Sequence, residues 1–414
     1  MSKPTRHRGG GSRRVSTTSS KLIDPESPVY TLASQFQNLM FLPQPEPLYV
    51  VLGTMAGNML TGQSVWLMLV GPSSGGKTML LKSLMGVEKT RSVSSIKGEA
   101  ALLSGVKEKD KASDATGGLL RELGDNGTLI FMDFTSVLSK SREAINELLG
   151  IMRELYDRTW KRDIGSEGGR TLAHTGRVHV IAGVTGTIDR QNEVNSEMGQ
   201  RCLFYRMPAT DGYQESMLGV NVIDPDDKER ARVEMVRTMY QTLQLSFSHP
   251  TRRRELNLQE RSRIVRLAQF GARARSGIPR DWKDRSVIDV PADELPMRMA
   301  NQMTQLYLGM EIIGVDDQDS WKALEKITLD SMPMLRRMVL GEIATAAADV
   351  EVSKPAAIAK RVRVSDTAVR RTIEDLELLG LIRRHPSLDT WVLSHWVEER
   401  IGHLYERKEE EEHV

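Results

Sequence analysis

The sequence contains one segment whose residue types and spacing could bind a phosphate group. It fits the pattern G-x-x-x-x-G-K-[ST] and consists of Gly71, Pro72, Ser73, Ser74, Gly75, Gly76, Lys77 and Thr78. Glycines let the backbone approach a phosphate without a Cβ clash, so that backbone amides face the anion. We expect Lys77 to reach the β- and γ-phosphates of ATP and the Thr78 hydroxyl to bind Mg²⁺. The apolar run at 65–70 predicts the strand that such a loop follows, so ATP and Mg²⁺ are the expected cofactors.

A carboxylate at the end of another buried strand is the second requirement of this chemistry. Asp133 follows the apolar run 128–132 and lies 133 − 77 = 56 residues after Lys77, which leaves room for a helix and a strand. We predict that Asp133 holds Mg²⁺ together with Thr78; the alternative is an aspartate that only caps the segment after it. The next residue is Phe134, where a water-polarising glutamate is usual. Candidates for the role of that glutamate are Asp125, Glu122 and Glu143.

Two further residues could complete a site that hydrolyses ATP. The apolar run 178–184 ends at Thr185, whose hydroxyl could orient the attacking water or sense the γ-phosphate, or could only satisfy its own turn. Arg201 precedes the apolar run 202–205 and carries a fixed, planar positive charge suited to a phosphate. We interpret Arg201 as an arginine finger that reaches into a neighbouring subunit, with an ordinary surface arginine as the alternative.

The elements that must position these residues indicate an α/β fold with more than one domain. At 414 residues the chain is long enough for two or three domains. Apolar runs alternate with helical patterns at first, which is typical of a parallel sheet between helices, and helical spacing prevails afterwards. The predicted organisation is a disordered basic arm at 1–26, an α/β nucleotide-binding core at 27–210, a helical domain at 211–330, a winged-helix domain at 331–399 and an acidic tail at 400–414.

The composition excludes several classes of protein. The chain is 39% hydrophobic and 27% charged, which is usual for a globular protein and excludes wholesale disorder. Its one cysteine, Cys202, excludes an internal disulfide framework. No apolar run is long enough to span a membrane and no signal peptide is evident, so we expect a cytoplasmic protein without a membrane partner. The formal net charge of +2 indicates that any DNA binding comes from local patches, and the basic arm is either a phosphate-binding tail or a solubilising terminus.

The C-terminal region has the pattern of a module that binds DNA. Helical spacing at 355–361 and 365–379, separated by a tight turn, is typical of a helix-turn-helix, and a β-wing is predicted after Gly380. Residues 331–395 carry 10 Lys and Arg against 8 Asp and Glu, so the local field is weak and a protein-docking module is the alternative. The predicted DNA contacts here are Arg370, Arg371, Arg383 and Arg384.

Over about residues 45–320 the chain resembles an AAA+ ATPase, because the phosphate loop, Asp133, Thr185 and Arg201 occur in the order of that family. Two segments resemble the branch that contains the minichromosome-maintenance helicases and related helicases of phages and mobile elements. Residues 158–176 have the pattern of a β-hairpin, and residues 99–120 are similar to that branch's insertion in the second helix.

The resemblance implies a P-loop AAA+ core with a parallel sheet and a helical lid, followed by a winged helix. It implies a homo-oligomeric ring, expected as a hexamer, with Arg298 as a second sensor on the lid and the hairpin gripping single- or double-stranded DNA. The hairpin residues expected to contact DNA are Lys161, Arg162 and Arg170.

The resemblance also implies a function. We expect an ATP-driven DNA motor of helicase or translocase type in DNA replication or in phage or mobile-element DNA metabolism, with a replication protein as a further partner. The alternative is a non-translocating loader or regulator that uses ATP to switch its grip on DNA or on a partner protein. Phe134 and the short segment before the core favour this alternative.

Overall fold

The structure is a computed structural model that describes residues 27–93, 118–164, 170–190, 201–209, 212–213, 216, 224–290, 294–346 and 350–405. The predicted basic arm, most of the predicted insertion at 99–120 and most of the predicted acidic tail lie outside these residues. No helix in the described ranges is both long and apolar enough to cross a membrane.

The first part of the chain alternates strands with helices, as its apolar pattern predicts. Its elements are α1 (Pro28–Leu39), α2 (Glu46–Asn58), β1 (Trp66–Val70), α3 (Lys77–Ser83), β2 (Thr90–Val93), α4 (Leu119–Leu123), β3 (Asn126–Phe131), α5 (Thr135–Leu138), α6 (Arg142–Tyr156), β4 (Lys161–Ile164), β5 (Arg170–Ala173), β6 (Arg177–Val184) and β7 (Cys202–Arg206). All residues of β1, β3 and β7 are buried, because helices cover both faces of the sheet that they form.

Five of these strands form one parallel sheet in the order β2-β3-β6-β1-β7. Alternate residues of β1 enter two cores: Leu67 and Leu69 join the core that contains α2, and Trp66 and Met68 join the core that contains α6. The strands point the same way, so their last residues share one edge, which we call the carboxyl edge. The opposite edge, where the strands begin, is the amino edge.

Strands β4 and β5 form a separate antiparallel hairpin, with Lys161 opposite Ala173 and Ile164 opposite Arg170. This pairing confirms the hairpin predicted between residues 158 and 176. Trp160 at its base is 1% exposed and packs into the core beside α6. Because β6 begins only a few residues after β5, the hairpin projects from the amino edge.

A helical region follows the sheet, as the helical spacing predicts. It consists of α7 (Pro225–Thr242), α8 (Leu258–Arg275), α9 (Met297–Ile312) and α10 (Asp317–Asp330). Helix α9 packs directly on α2, where a Cβ on Gly309 would clash with the backbone of Gly53 and Gly57. This close contact joins the helical region to the core of the sheet.

The last part of the described chain is a group of helices with a small hairpin. It consists of α11 (Met334–Thr345), α12 (Val350–Ser353), α13 (Pro355–Val362), α14 (Asp366–Leu378), β8 (Ile382–Arg384), β9 (Trp391–Leu393) and α15 (His395–Ile401). The Ser365 hydroxyl caps α14 by accepting from the Ala368 amide, and Gly380 follows the helix with φ +63°. Strands β8 and β9 pair antiparallel, as expected of the predicted wing. The domain limits near residues 210, 330 and 399 stay predictions.

Candidate nucleotide-binding site

The phosphate loop joins β1 to α3, in the strand–loop–helix order that its pattern predicts. Gly76 precedes α3 with φ +73°, a left-handed conformation that residues with a Cβ rarely adopt. The loop turns back on itself, because the Gly75 amide donates to the Pro72 carbonyl at 3.3 Å and the Gly76 amide to the Ser74 carbonyl at 2.9 Å. This turn gathers backbone amides next to the start of α3, an arrangement that suits an anion.

Lys77 and Thr78 are the first two residues of α3. Lys77 is 8% exposed, and its Nζ donates to the carbonyl oxygens of Gly71 at 2.9 Å and Pro72 at 2.5 Å. These bonds hold the ammonium group inside the loop. Thr78 is exposed beside it, so the cation and the hydroxyl that we predicted for phosphate and Mg²⁺ lie at one end of β1.

The ends of three neighbouring strands meet at the carboxyl edge. The Gly71 amide donates to the Val184 carbonyl at 3.0 Å, which ties the loop to the end of β6. A Cβ on Gly183 would lie 2.9 Å from the Met132 carbonyl oxygen and 3.8 Å from the Cβ of Lys77. Gly183 therefore lets the end of β3 and the start of α3 approach each other, a role that we did not predict from the sequence.

Asp133 and Thr185 follow the adjacent strands β3 and β6 at this edge, and hydrogen bonds join the segments after these strands. Asp133 is exposed, and its Oδ1 accepts from the Thr135 amide at 2.9 Å, so it caps the segment after it, while its role with Mg²⁺ stays a prediction. Thr135 Oγ1 accepts from the Thr185 amide at 3.0 Å and lies 3.3 Å from Thr185 Oγ1. Thr185 Oγ1 in turn lies 2.7 Å from Thr187 Oγ1. The three hydroxyls form a polar group beside Asp133, and only Thr185 among them was predicted from the sequence.

Phe134 is a core residue. It is 1% exposed, and its ring contacts Phe131 edge to face with the centroids 5.3 Å apart. Two of the acids considered as replacements for the usual glutamate are wrongly placed, because Glu122 and Asp125 lie where the chain enters β3, at the amino edge. Glu143, in the first turn of α6, lies towards the carboxyl edge. Hydrogen bonds from its own backbone amide and from the Ser141 side chain lower the pKa of its carboxyl group.

An apolar cleft lies beside the phosphate loop. Its walls combine the segment between α1 and α2, the loop and the residues after β7, and include Met40, Leu42, Pro47, Gly76 and Met207. A mostly apolar cleft that opens onto a phosphate-binding loop suits a flat nucleobase. The cleft was not predicted from the sequence, because its walls come from segments far apart in the chain.

Arg201 and Arg298 lie together at the amino edge. Arg201 Nη2 donates to Asp157 Oδ2 at 3.1 Å, and Arg298 Nη2 lies 3.9 Å from Asp157 Oδ1. Arg201 directly precedes β7, whose first residue pairs with Trp66 at the start of β1. The length of β1, about 13 Å at 3.3 Å per residue, therefore separates both arginines from the phosphate loop of their own chain. Asp157, which joins them, was not predicted as a site residue.

The basic residues of the β4–β5 hairpin differ in their surroundings. Lys161 is exposed. The Arg162 guanidinium donates to Glu154 Oε2 at 2.7 Å and lies 5.5 Å from the centre of the Trp160 ring. Arg170 begins β5. The ion pair of Arg162 weakens its interpretation as a DNA contact, because its charge is already balanced within the chain.

The four arginines predicted as DNA contacts near the C-terminus are all exposed on α14 and β8. Arg370 Nε donates to Asp366 at 2.6 Å, one helical turn away. Arg384 donates to Asp389 at 3.1 Å and lies 4.0 Å from the centre of the Trp391 ring. Arg371 and Arg383 are exposed beside them.

No protein-family model and no curated protein sequence matches the chain. Among solved structures, it is similar to the crystal structure of NtrX from Brucella abortus in complex with ATP. The sequence identity is 17%, the match covers 84% of this chain and 72% of NtrX, and the TM-score is 0.29. Because the TM-score is this low, no property of NtrX is assigned to this chain. The assignment of the site therefore rests on the α/β fold and on the residues at the carboxyl edge.

Proposed function

We propose that the chain is an ATPase of the AAA+ class that acts on DNA. The observation that carries this proposal is the carboxyl edge, where the phosphate loop, Thr185 and Asp133 follow the adjacent strands β1, β6 and β3. Ligand sites of parallel α/β sheets form at this edge. The nucleotide would place its phosphates on the loop and its base in the apolar cleft beside Met40 and Met207.

The side chains at this edge suit ATP with Mg²⁺. The Thr78 hydroxyl and the Asp133 carboxylate are oxygen donors of the kind that Mg²⁺ prefers, and Mg²⁺ commonly shares one or two such ligands with phosphates. When bound, the ion would neutralise charge on the β- and γ-phosphates. Lys77 would turn from the Gly71 and Pro72 carbonyls towards the phosphates, and Thr185 with Thr135 would orient a water.

A ring assembly would give the arginine pair a role. We propose a homo-oligomeric ring, as a hexamer, in which the amino edge of one subunit faces the phosphate loop of the next. Arg201 and Arg298 would then act on the neighbour's γ-phosphate. The position of both guanidinium groups, on the side of the sheet away from their own loop, supports this proposal. Arg201 is largely buried and its charge is balanced by Asp157, so it would have to leave that ion pair to reach the phosphate.

For the DNA-contacting parts we propose the β4–β5 hairpin and a winged helix formed by α13, α14, β8 and β9. Lys161 on the hairpin would contact backbone phosphates in the ring channel. Arg371 on α14 would make the initial contact with DNA, before the hairpin binds it. The finer proposal is a helicase or translocase similar to the minichromosome-maintenance branch, in DNA replication or in phage or mobile-element DNA metabolism, with a replication protein as a partner.

A loader or regulator that binds DNA or protein without moving along it is the second candidate. Phe134 favours this candidate, because the buried phenyl ring after Asp133 cannot polarise a water molecule. ATP turnover with and without DNA, together with strand displacement, separates the two candidates. Unwinding supports the motor, whereas nucleotide-dependent DNA binding without unwinding supports the switch. A monomer in ATP whose turnover does not respond to DNA would contradict the motor.

Subunit mixing tests the ring directly. Lys77→Ala subunits lack a working phosphate loop but retain Arg201, and Arg201→Ala subunits have the opposite defect. If the arginine acts on the neighbour, a mixture of two inactive variants regains part of the ATPase activity, because some interfaces combine an intact loop with an intact arginine. If Arg201 has no role at the neighbour's site, the mixture shows only the average of the two separate activities.

A further inference from the structure

A rigid turn with an exposed tryptophan lies between α8 and α9. Trp282 is 84% exposed, an unusual setting for a side chain that buries more apolar area than most others. The turn around it is closed by three backbone hydrogen bonds: from Ile288 to Pro279 at 3.0 Å, from Asp281 to Ser286 at 2.8 Å and from Arg285 to Asp281 at 3.1 Å. These bonds fix the backbone on both sides of the exposed indole ring.

The carboxylates of the turn are used within it. Asp281 Oδ1 accepts from the Lys283 amide at 2.7 Å, and Asp284 Oδ1 accepts from the Ser286 amide at 2.9 Å. Lys283 and Arg285 follow the tryptophan and are exposed, and Arg285 has φ +64°, a left-handed conformation that costs a non-glycine residue free energy. The turn therefore exposes an aromatic side chain and two cations within four residues.

Arg280 fastens this turn to α14. Its Nη2 donates to Asp375 at 2.5 Å, to Glu374 at 2.8 Å and to the Arg371 carbonyl at 3.3 Å, and its Nη1 donates to the Arg285 carbonyl at 3.0 Å. Its side chain is 10% exposed. The anchor balances the acids of α14 nearest the turn and joins the turn to the backbone of α14 at Arg371, whose side chain is exposed.

We propose that this turn binds single-stranded nucleic acid, with one base stacked on Trp282 and its backbone phosphates at Lys283, Arg285 and Arg371. An exposed aromatic side chain with exposed cations in the same turn matches the two parts of a single strand, because unpaired bases offer flat faces and the phosphates carry the charge. The backbone of the turn is already hydrogen-bonded, so little backbone entropy is lost when a strand binds. This inference does not depend on the nucleotide site.

Binding of labelled oligo(dT) to the full chain, without ATP, tests the proposal. Trp282→Ala should weaken binding by about 5- to 150-fold, the range expected for the loss of one stacked base, while Trp282→Phe retains most of the affinity. The double variant Lys283→Ala/Arg285→Ala should reduce the dependence of affinity on salt concentration. Leu258→Ala is the matched control, since Leu258 is 80% exposed at the start of α8 and should leave binding unchanged.

Two results would overturn the proposal. One is a Trp282→Ala variant that binds oligo(dT) as the Leu258→Ala control does. The other is a change in oligomeric state on Trp282→Ala with oligonucleotide binding unchanged, which would assign the tryptophan to a contact between copies of the chain. The binding assay contains no ATP, and basal ATP turnover of Trp282→Ala should equal that of the parent. A failure of the proposed oligonucleotide binding is therefore distinct from a failure of the proposed ATPase.

Discussion

The guanidinium of Arg206 makes two parallel hydrogen bonds to the carboxylate of Asp189, at 2.8 and 2.7 Å. Arg206 ends β7 at the carboxyl edge, and Asp189 lies four residues after Thr185. The same guanidinium donates to the carbonyls of Asp330 at 3.1 Å and Met332 at 2.9 Å. This one side chain thus links the segment after Thr185 to the junction where α10 ends and the C-terminal helices begin.

Replacement of Arg206 by alanine should destabilise the protein strongly. The pair is largely buried, with 6% of the Arg206 side chain and 19% of the Asp189 side chain exposed, so the variant leaves a carboxylate without its partner. We expect a loss of about 3–5 kcal/mol in the free energy of unfolding, measured by urea denaturation. Arg370→Ala is the control, because its exposed pair with Asp366 should contribute less than about 1 kcal/mol. Equal losses for the two variants would contradict the structural role of Arg206.

Lys77→Ala should weaken the binding of ATP by about 10- to 100-fold, because it removes a charged hydrogen-bond donor from the loop. Titration with a fluorescent ATP analogue measures this change. Lys82→Ala on the same helix is the matched control: Lys82 is 43% exposed and pairs with Glu229, so its loss should leave affinity unchanged. Equal ATP affinities for Lys77→Ala and the parent would show that the phosphate loop does not bind ATP.

Asp133→Ala should leave ATP binding partly intact and abolish Mg²⁺-dependent hydrolysis, because the loop still binds phosphates while the metal loses a carboxylate. Release of inorganic phosphate at saturating ATP measures it. Asp125→Ala serves as the control, since Asp125 lies at the amino edge and should not affect turnover. Unchanged hydrolysis in Asp133→Ala would leave this residue only its cap on Thr135.

The hairpin and α14 should affect different steps of DNA binding. The variant Lys161→Ala/Arg162→Ala should bind ATP normally but lose the stimulation of turnover by DNA, and Lys161→Ala alone should account for most of that loss, because Arg162 pairs with Glu154. Arg370→Ala/Arg371→Ala should lower DNA affinity and keep the stimulation at saturating DNA. Turnover measured against DNA concentration separates the two effects. Full stimulation in the hairpin variant would favour the loader or regulator.

Acidification should destabilise the fold through His179. This ring is fully buried in β6, hydrogen-bonded to Asn126 Oδ1 at 2.7 Å and stacked on Phe247, and burial lowers its pKa well below the usual value. The unfolded chain takes up a proton below about pH 6.5 and the folded chain does not, so this contribution is complete above that pH and is lost as pH falls.

Between about pH 7.5 and 5.5 the loss should be about 1.4 kcal/mol, and His179→Gln should reduce this pH dependence. Urea denaturation at several pH values provides the measurement. Phe247→Leu is the control, because it removes the stacked ring but no titratable group and should lower stability equally at each pH. An unchanged pH dependence in His179→Gln would show that other groups cause it.

The features that the sequence alone determined are local. The phosphate loop needs only contiguous residues, because Gly76 must adopt a left-handed backbone and Lys77 must start the next helix. The runs before Asp133 and Thr185 predict parallel strands, and parallel strands end at a common edge. The β4–β5 hairpin follows from two short runs on either side of a glycine-rich turn.

Other features depended on packing between distant segments, and only the tertiary structure decided them. The two-bond pair of Arg206 with Asp189 and the shared contact of Arg201 and Arg298 with Asp157 could not be read from charge patterns, since a charged residue type does not specify its partner. The apolar cleft needs residues that precede and follow the whole sheet. The positions of Asp125 and Glu122 did not need the tertiary structure, because both precede the strand that Asp133 follows and so lie at its opposite end.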